Sequence, residues 1–282
     1  MGWPQRLLRI DRRIIFLLVA LLTLTFILHP VGLALRVSPE VRSVYEYVDK
    51  LPEGAAFLLS MDFDPASKPE LAPMAVALLR HAFARKLRVM VMTLWVTGAG
   101  LAESIVTAAA KEAGKVSGQD YVFLGFTPGS VNVIINMGQD LAKAFPKDQY
   151  GKPLGDLPMM QGIKSLRDVQ YMISLGAGSP GVEAWYVYGK EKYGFELGGG
   201  VTAVSAAGLY PLLQTGQING LMGGLRGAAE YEALLGRRGK ATAGMDAQSA
   251  THLLIIVLIL IGNIGYLAGR RQGGRQGAGG QR

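Results

Sequence analysis

Cysteine is absent from this chain of 282 residues, and histidine occurs only three times. Without cysteine the chain can form no disulfide, no thiolate metal site and no cysteine nucleophile. A zinc site takes three or four ligands, chiefly cysteine and histidine, and a serine hydrolase triad requires a histidine. The central region has one histidine, His81, which lies in a helical pattern and is typical of a packing or surface residue. We therefore expect no metal, no cofactor and no catalytic triad.

Charge is also scarce. Charged residues make up 18% of the chain, against roughly 25% in an average soluble protein, and apolar residues reach 50%. The net charge of +8 is concentrated at the two ends: residues 1–35 carry +3 and residues 269–282 carry +4, which leaves +1 between them. A nucleic-acid binder carries its basic excess on a folded domain, so this distribution excludes a nucleic-acid partner. Apolar composition with basic ends indicates a membrane protein that contacts the lipid bilayer.

Two uncharged runs, residues 14–35 and 252–269, are long enough to form membrane-spanning helices, which need roughly 17–25 residues. Arginine residues flank each run on the side of the nearer terminus. Positively charged flanks stay in the cytoplasm. We therefore predict a two-pass protein of the bacterial inner membrane, with the basic tails 1–13 and 270–282 in the cytoplasm.

The first run has a second interpretation, a cleaved signal peptide. Arg12 and Arg13 provide the basic start of such a peptide, and Gly32-Leu33-Ala34 has the small residues of a cleavage site. The run is longer than the roughly 7–15 residues of a typical signal-peptide core, which favours a retained anchor. Both interpretations place the central region outside the cytoplasm.

Residues 36–235 are predicted to form this extracytoplasmic domain, followed by a polar linker over residues 236–251. Apolar runs bounded by breakers predict strands at residues 55–61, 87–94, 121–126, 169–175, 201–204 and 218–222. Between these strands, apolar residues recur at the spacing of a helix, which predicts helices at residues 69–86, 101–113, 131–145, 182–193, 209–214 and 225–235. This alternation predicts an α/β fold with a mostly parallel sheet and helices on both faces, either Rossmann-like or periplasmic-binding-like. The breaker-rich residues 146–162 separate either two lobes or two halves of one sheet.

Ligands bind parallel sheets at the carboxyl ends of the strands, so the first such turn, Asp62-Phe63-Asp64, is a candidate site. An Asp-x-Asp sequence after an apolar strand resembles the haloacid-dehalogenase-like phosphatases. That resemblance implies a phosphohydrolase in which Asp62 attacks phosphorus, Asp64 acts as acid and base, and both surround Mg²⁺. No later acidic pair in the sequence completes the metal site. The short motif favours the alternative, that both aspartates cap the helix and shape the turn.

Glycine-rich turns follow other predicted strands and supply the remaining candidate ligand-binding residues. These are Thr97, Gly98, Thr127, Gly129, Gly178, Ser179, Gly223 and Gly224. Glycine lets backbone amides approach an anion at the start of a helix, and turns at neighbouring strand ends would line one crevice. The alternative is that the glycines serve turn geometry and close helix–sheet packing.

Residues 209–220, LYPLLQTGQING, resemble a helix–turn–strand segment of solute receptors of tripartite ATP-independent periplasmic transporters. Asn219 stands where those receptors usually carry aspartate. The resemblance is confined to this short segment, and it implies a tethered solute receptor. More broadly, the chain resembles uncharacterised bacterial membrane proteins with an extracytoplasmic Rossmann-like domain, which implies a location but no activity.

The second predicted span contains small residues at helical spacing. Gly262, Gly265 and Gly269 fall on one face of a helix, with Asn263 beside it. Such a face lets another helix approach closely, and an amide in hydrocarbon favours a hydrogen-bonded partner. The partner would be the first helix, another copy of the chain or a different membrane protein. The alternative is that glycine is common in membrane helices without forming contacts.

These observations together predict a non-catalytic, membrane-anchored binding or scaffold subunit of a larger membrane assembly. The alternatives are a phosphohydrolase of the extracytoplasmic face, acting through Asp62 and Asp64, and a tethered solute receptor. A divalent metal between Asp62 and another carboxylate would favour the phosphohydrolase, because hard cations take oxygen ligands. Distant carboxylates and a capping role for Asp62 would exclude it.

Overall fold

The structure, a computed structural model, describes residues 11–33 and 36–277, with side chains as far as residue 268. It contains an α/β domain, Ala34–Thr242, and a second compact unit formed by the segments on either side of that domain. Parts of the predicted tails (residues 1–10 and 278–282) and the end of the first predicted span (residues 34–35) lie outside the described residues.

The centre of the α/β domain is a sheet of six parallel strands. They are β1 (Ala56–Asp62), β2 (Arg88–Thr93), β3 (Tyr121–Phe126), β4 (Tyr171–Gly176), β5 (Glu196–Val201) and β6 (Leu221–Gly223). Their order across the sheet is β3-β2-β1-β4-β5-β6, the order of a doubly wound, Rossmann-like fold. The predicted α/β fold with a parallel sheet is confirmed, and residues 146–162 lie between two halves of one sheet.

Strands β1 to β4 lie within two residues of their predicted positions. A parallel strand that has helices on both faces is shielded from water on both sides, so its sequence is apolar throughout. In β1, the consecutive residues Phe57, Leu58 and Leu59 are all fully buried. Such continuous apolar runs are visible in the sequence, and they explain why these strands could be predicted.

Strand β5 was predicted in the wrong place, at residues 201–204, where the chain in fact leaves the sheet and enters a helix. The strand contains Gly198, Gly199 and Gly200, and glycine normally disfavours strands. Here the space that β-carbons would need is occupied by side chains of neighbouring elements, among them Tyr171, Val182, Leu221, Leu175 and Met74. Glycine therefore lets the strand fit between bulky neighbours, which its own sequence does not show.

Helices flank the sheet on both faces, as predicted. The helices of the α/β domain are α2 (Pro39–Lys50), α3 (Lys68–Ala84), α4 (Ala99–Glu112), α5 (Val131–Gln139), α6 (Leu141–Ala144), α7 (Val182–Trp185), α8 (Glu191–Tyr193), α9 (Ala203–Gln214) and α10 (Gly224–Leu234). Helix α1 (Arg12–Leu28) belongs to the second unit, as does α11 (Lys240–Gly277) from Ala243 onward. Helices α3, α4 and α10 pack together on one face. Helices α5, α7 and α9 contribute to the hydrophobic core on the other face.

Helix α2 was not predicted. Its buried residues are Val41, Val44 and Val48, and it packs against β6 and α10. A β-carbon on Gly220 would lie only 2.7 Å from the carbonyl oxygen of Glu40 and 2.8 Å from the backbone nitrogen of Val44. The glycine therefore allows the backbone of α2 to contact the chain where it enters β6.

The predicted polar linker over residues 236–251 is wrong from Lys240 onward, because α11 begins there. The buried carboxylate of Glu232, in α10, accepts hydrogen bonds from the backbone N–H groups of Gly239 (2.9 Å), Ala241 (3.1 Å) and Thr242 (2.8 Å). The first N–H groups of a helix have no partner within the helix, and a negative charge there also interacts favourably with the helix dipole. The helix could not be recognised locally because its cap comes from another helix.

The first predicted span, residues 14–35, is helical only as far as Leu28. His29 precedes Pro30, and a residue before proline disfavours the helical conformation. The predicted span is therefore corrected: the helix ends at this point, and the described residues of the span after Leu28 are not helical.

Candidate functional site

The predicted site residues of the domain follow the strands at one edge of the sheet. Asp62 and Gly223 are the last residues of β1 and β6, Thr97 and Gly98 follow β2, Thr127 and Gly129 follow β3, Gly178 and Ser179 follow β4, and Gly224 begins α10. The strand order changes direction between β1 and β4. In this fold, ligands bind at the carboxyl ends of the strands at such a switch point.

Asp62 is fully buried at the switch point. Its Oδ1 accepts a hydrogen bond from the backbone N–H of Leu94 (2.6 Å), and its Oδ2 accepts one from the hydroxyl of Ser60 (2.7 Å). Burial raises the pKa of the carboxyl from 3.8 to about 7, although both hydrogen bonds oppose this shift. The carboxyl thus links the end of β1 to the chain leaving β2, and the prediction that Asp62 caps the following helix is wrong.

Two further buried polar groups lie at the same place. Ser174 is paired with Ser60 across β1 and β4, and its hydroxyl has no hydrogen-bond partner among the described residues. The Trp185 indole lies beside the Asp62 carboxyl and lowers its pKa less than Leu94 and Ser60 do. We call Ser60, Asp62, Ser174 and Trp185 the switch-point cluster; all four are fully buried. A substrate cannot reach these groups in this conformation.

Asp64 has a different role. Its Oδ1 accepts hydrogen bonds from the backbone N–H groups of Ala66 and Ser67, both at 3.1 Å, so the predicted turn-shaping role is confirmed for this residue. Among the residues that the structure describes, no three acidic or histidine side chains are grouped in a way that could hold a metal ion. A nucleophilic carboxylate must contact phosphorus, and Asp62 is enclosed. The geometry therefore gives no support to the phosphohydrolase interpretation.

The loop after β4, residues 176–181, has the spacing Gly-x-Gly-x-x-Gly. Sequence reasoning that took the glycine turns one at a time missed it, although the six residues are contiguous. In dinucleotide-binding proteins this spacing brings backbone close to a pyrophosphate. Here a β-carbon on Gly176 would lie 3.3 Å from Cα of Gly181, and one on Gly181 would meet the carbonyl oxygen of Gly178. The glycines thus pack against one another, which supports the packing interpretation.

The Trp95 indole covers this loop. Its Nε1 donates a hydrogen bond to the carbonyl oxygen of Pro180 (3.0 Å), and its ring lies 3.5 Å from the position of a β-carbon on Gly178. The position after β5, where a dinucleotide site carries an acidic residue, is occupied by Thr202. Protein groups therefore occupy the place where this fold usually holds a ligand.

The other predicted residues at this edge differ in exposure. Thr97 and Ser179 are exposed and Thr127 is half-buried. Gly98 is buried, and a β-carbon there would lie 2.6 Å from the carbonyl oxygen of Phe63. Gly129 has a φ of 137°, which favours glycine, so both glycines serve local geometry.

A cavity of about 190 Å³ lies beside β6, between α2, α9 and α10. It is lined by Ser38, Glu40, Val41, Ala206, Tyr210, Leu221, Gly223, Arg226, Gly227 and Glu230. Gly223 was a predicted site residue, and the charged lining residues were missed. The available signal was Glu230, an acidic residue between Ala229 and Tyr231 on the apolar face of α10.

Glu230 fixes the polar wall of this cavity. The side chain is buried, and its Oε2 accepts hydrogen bonds from the backbone N–H (2.8 Å) and the hydroxyl (2.6 Å) of Ser38. Its Oε1 accepts a hydrogen bond from Nε of Arg226 (2.7 Å). Buried carboxylates require such partners. The hydrogen bond to Glu230 fixes Nε of Arg226, while 62% of the Arg226 side chain stays exposed.

His81 is a packing residue. Its Nδ1 lies 2.8 Å from the Tyr231 hydroxyl, its Nε2 lies 3.3 Å from Oδ1 of Asp49, and Tyr45 stacks on its ring. Burial lowers the pKa of His81. Because His81 and Tyr231 are both buried, the imidazole has no access to a substrate. The predicted packing role is confirmed.

The segment that resembles transporter receptors does form a helix, a turn and a strand. Leu209 lies in α9, Gly216 adopts a φ of 75° in the turn, and the chain continues into β6. Asn219 donates a hydrogen bond from Nδ2 to the Glu196 carboxylate (2.5 Å). Its amide thus links the residues before β6 to the start of β5.

In the second unit, α1 and α11 form an antiparallel helix pair. The hydroxyls of Thr23 and Thr251 lie 3.0 Å apart. Beyond the end of α1, the backbone N–H groups of Gly32 and Leu33 donate hydrogen bonds to the buried carboxylate of Asp246 (2.7 and 2.9 Å). Later residues of the first segment therefore meet earlier residues of α11. Asp246 thus pairs two backbone N–H groups of the segment that follows α1.

Within the part of the chain that the structure describes, the stretch Lys240–Ala268 of α11 is long and apolar enough to cross a membrane. In this stretch Gly265 is buried and Gly262 half-buried, whereas Asn263 is exposed and makes no hydrogen bond to another described residue. The predicted packing face is thus divided: Gly265 faces inward, and Asn263, about 100° further around the helix from Gly262, faces the surroundings. Gly269 continues the helix.

No protein-family model and no curated protein matches this chain. Among solved structures, a trehalose-6-phosphate synthase, OtsA, shows 10% sequence identity and a TM-score of 0.29. The match covers 86% of this chain and 48% of the synthase, so the chain spans about half the length of that protein. A likeness at this TM-score supports no conclusion about function.

Proposed function

We propose that this protein is a two-pass membrane protein whose α/β domain lies outside the cytoplasm and binds a ligand without catalysis, as a subunit of a larger membrane assembly. The observation that carries the proposal is the apolar outer surface of the antiparallel helix pair formed by α1 and α11. Its exposed side chains include Phe16, Leu17, Leu28, Leu253, Ile259 and Leu267. So large an apolar surface requires a cover, and lipid supplies it.

The lengths of the two uncharged runs support this arrangement. The apolar run at residues 253–269 lies at the lower end of the roughly 17–25 residues that span a bilayer, and it belongs to the stretch of α11 that is long and apolar enough to do so. Helix α1 begins with Arg12 and Arg13, so its uncharged part, residues 14–28, is shorter than this range, and the proposal extends the first span into the uncharged residues that follow the helix. Thr23 and Thr251 lie between the two helices, where their hydroxyls form a hydrogen bond with each other.

The charges at the helix ends support the orientation. The antiparallel arrangement brings the start of α1 and the end of α11 to the same side. Arg12 and Arg13 begin α1, and Arg270, Arg271 and Arg275 belong to the end of α11. Positively charged flanks stay in the cytoplasm, so the domain, which joins the opposite ends of the two helices, lies outside.

Because the chain has no cysteine, a single introduced cysteine reports this topology directly. Val204, with 90% of its surface exposed, marks the domain, and Gln272 marks the predicted cytoplasmic tail. A membrane-impermeant maleimide added to intact spheroplasts should label Val204→Cys, and label Gln272→Cys only after permeabilisation. The reverse pattern would overturn the proposed topology. The mass of the purified chain distinguishes a retained anchor from a cleaved signal peptide.

Asn263 supports association within the membrane. It lies near the middle of the apolar run and faces outward without a hydrogen bond to another described residue. A carboxamide in hydrocarbon gains from a hydrogen bond to a neighbouring helix. We expect Asn263→Leu to weaken the association of the chain with itself or with a co-purified subunit by roughly threefold to thirtyfold.

Sedimentation in mild detergent measures this association. Ile264→Leu is the matched control, because Ile264 is also exposed but already apolar; it should associate as the unaltered chain does. Equal association of the Asn263→Leu variant would contradict this part of the proposal.

A further inference from the structure

We propose that the cavity beside β6 binds a small zwitterionic amine with an aliphatic body, the class to which the short α-amino acids belong. This inference deepens the proposed binding function and rests on it. It names the ligand class that the extracytoplasmic domain recognises, and it places the site away from the switch point.

The size of the cavity limits the ligand. Its volume of about 190 Å³ is below the roughly 300–1,000 Å³ of sites for drug-sized molecules. Val41, Ala206 and Leu221 supply apolar lining, while Arg226 and Glu40 supply opposite charges. The part of a ligand that lies inside this half-open cavity must therefore be small, and it must combine an apolar part with polar groups.

Arg226 provides a site for the ligand carboxylate. Its Nε is bonded to the buried Glu230, which in turn is held by Ser38. The two η nitrogens have no hydrogen-bond partner among the described residues. A guanidinium group presents these nitrogens as a planar pair that matches a carboxylate. Because Glu230 already orients the group, little conformational freedom is lost when a carboxylate binds.

Glu40 provides a site for the ligand ammonium group. Its side chain is half-buried, lines the cavity and forms no ion pair with another described residue. Both oxygens of Glu230 already accept hydrogen bonds, so Glu40 is the carboxylate in the lining that is available to a cation. A lining that offers one cation and one anion favours a ligand that carries both charges.

The same charges disfavour other ligands. Inorganic phosphate bound to Arg226 would lie in a cavity that also contains the carboxylates of Glu40 and Glu230, and like charges repel. A simple amine would use Glu40 alone, and a simple carboxylate Arg226 alone. Each of these would lose one of the two charged contacts that an amino acid makes.

Isothermal titration calorimetry of the full chain in detergent tests the proposal, with L-valine as the probe. Isobutylamine lacks the carboxylate of valine, and isovalerate lacks the amine. We expect L-valine to bind at least about tenfold more tightly than either compound and than inorganic phosphate, since each of these lacks one of the two charged hydrogen-bonded contacts. Equal affinity for isovalerate or phosphate would indicate a simple anion site and overturn the proposal, as would an absence of valine binding.

Variants of the lining test the assigned contacts. Glu40→Gln and Arg226→Lys should each weaken valine binding at least about tenfold, and Ala206→Leu should abolish it by filling the cavity. Arg42→Gln, which changes an exposed charge on the same helix outside the lining, should leave the affinity unaltered. Unchanged affinity in Glu40→Gln and Ala206→Leu would overturn the assignment. The maleimide labelling pattern is independent of these results, so failure here leaves the proposed topology intact.

Discussion

The switch-point end of the sheet and the cavity beside β6 differ in what occupies them. At the switch point, Trp185 is fully buried, and Trp95 covers the glycine-rich loop. Beside β6, the chain leaves about 190 Å³ open and holds Arg226 at its wall. The comparison shows that the fold alone does not create a binding crevice at its usual ligand position; the local side chains must also leave that position open. In this chain, the bulky residues lie at the usual position.

The largest expected effect is a difference in the free energy of unfolding between variants of the two regions. Trp185→Ala removes a fully buried side chain and should lower the free energy of unfolding by about 3–5 kcal/mol. Tyr210→Ala changes a cavity residue that is 43% exposed, and should cost within about 1 kcal/mol. Urea unfolding of the full chain in detergent measures both.

Comparable losses in the two variants would break the comparison, because they would mean that the cavity wall is as tightly packed as the switch point. Ser179→Ala, an exposed change at the switch-point edge, serves as the control and should stay within about 0.5 kcal/mol of the unaltered chain.

A smaller effect concerns the pH dependence that Asp62 introduces. Its pKa is raised to about 7 in the folded protein, so between about pH 4 and 7 the folded chain holds a proton that the unfolded chain releases. The free energy of unfolding should therefore fall as pH rises through this interval, by at most about 1.4 kcal/mol per pH unit, and level off above it. Asp62→Asn should remove this contribution and raise stability at pH 8.

Urea unfolding at several pH values gives the slope. Ser60→Ala sharpens the test: it removes a hydrogen bond that lowers the Asp62 pKa, so the falling part of the curve should extend to higher pH. An identical pH profile for Asp62→Asn and the unaltered chain would show that this carboxyl does not hold the proton.

The sheet was predictable where burial on both faces leaves a continuous apolar run, as in Phe57-Leu58-Leu59. It was not predictable at Gly198–Gly200, because the reason for those glycines is the size of residues such as Tyr171 on a neighbouring strand. The start of α11 was missed for a similar reason, since Glu232 caps it from another helix. These elements depend on contacts between residues distant in sequence, which local patterns do not contain.

The candidate site shows the same limit. Asp62 and Thr97 lie together at the carboxyl end of the sheet because they end or follow parallel strands. This could be predicted once the sequence indicated a parallel sheet. The charged cavity could not be inferred, because Arg226 and Glu230 are four residues apart and have the spacing of an ordinary surface ion pair on a helix. Only the packing of α2 over α10, which brings Ser38 to Glu230, shows that the carboxylate is buried.

The close contact between α2 and Gly220 has a consequence for how other proteins can approach the domain. Strand β6 ends the sheet, and an edge strand offers unpaired N–H and C=O groups to any extended chain. The backbone of α2 lies against the entry to this strand, at Glu40 and Val44, and the Ser43 hydroxyl of α2 donates a hydrogen bond to the carbonyl oxygen of Asn219 (2.6 Å). A backbone acceptor at the entry to β6 is therefore already paired, and we expect this to disfavour strand addition by a partner and amyloid-like stacking between copies at this end of the strand.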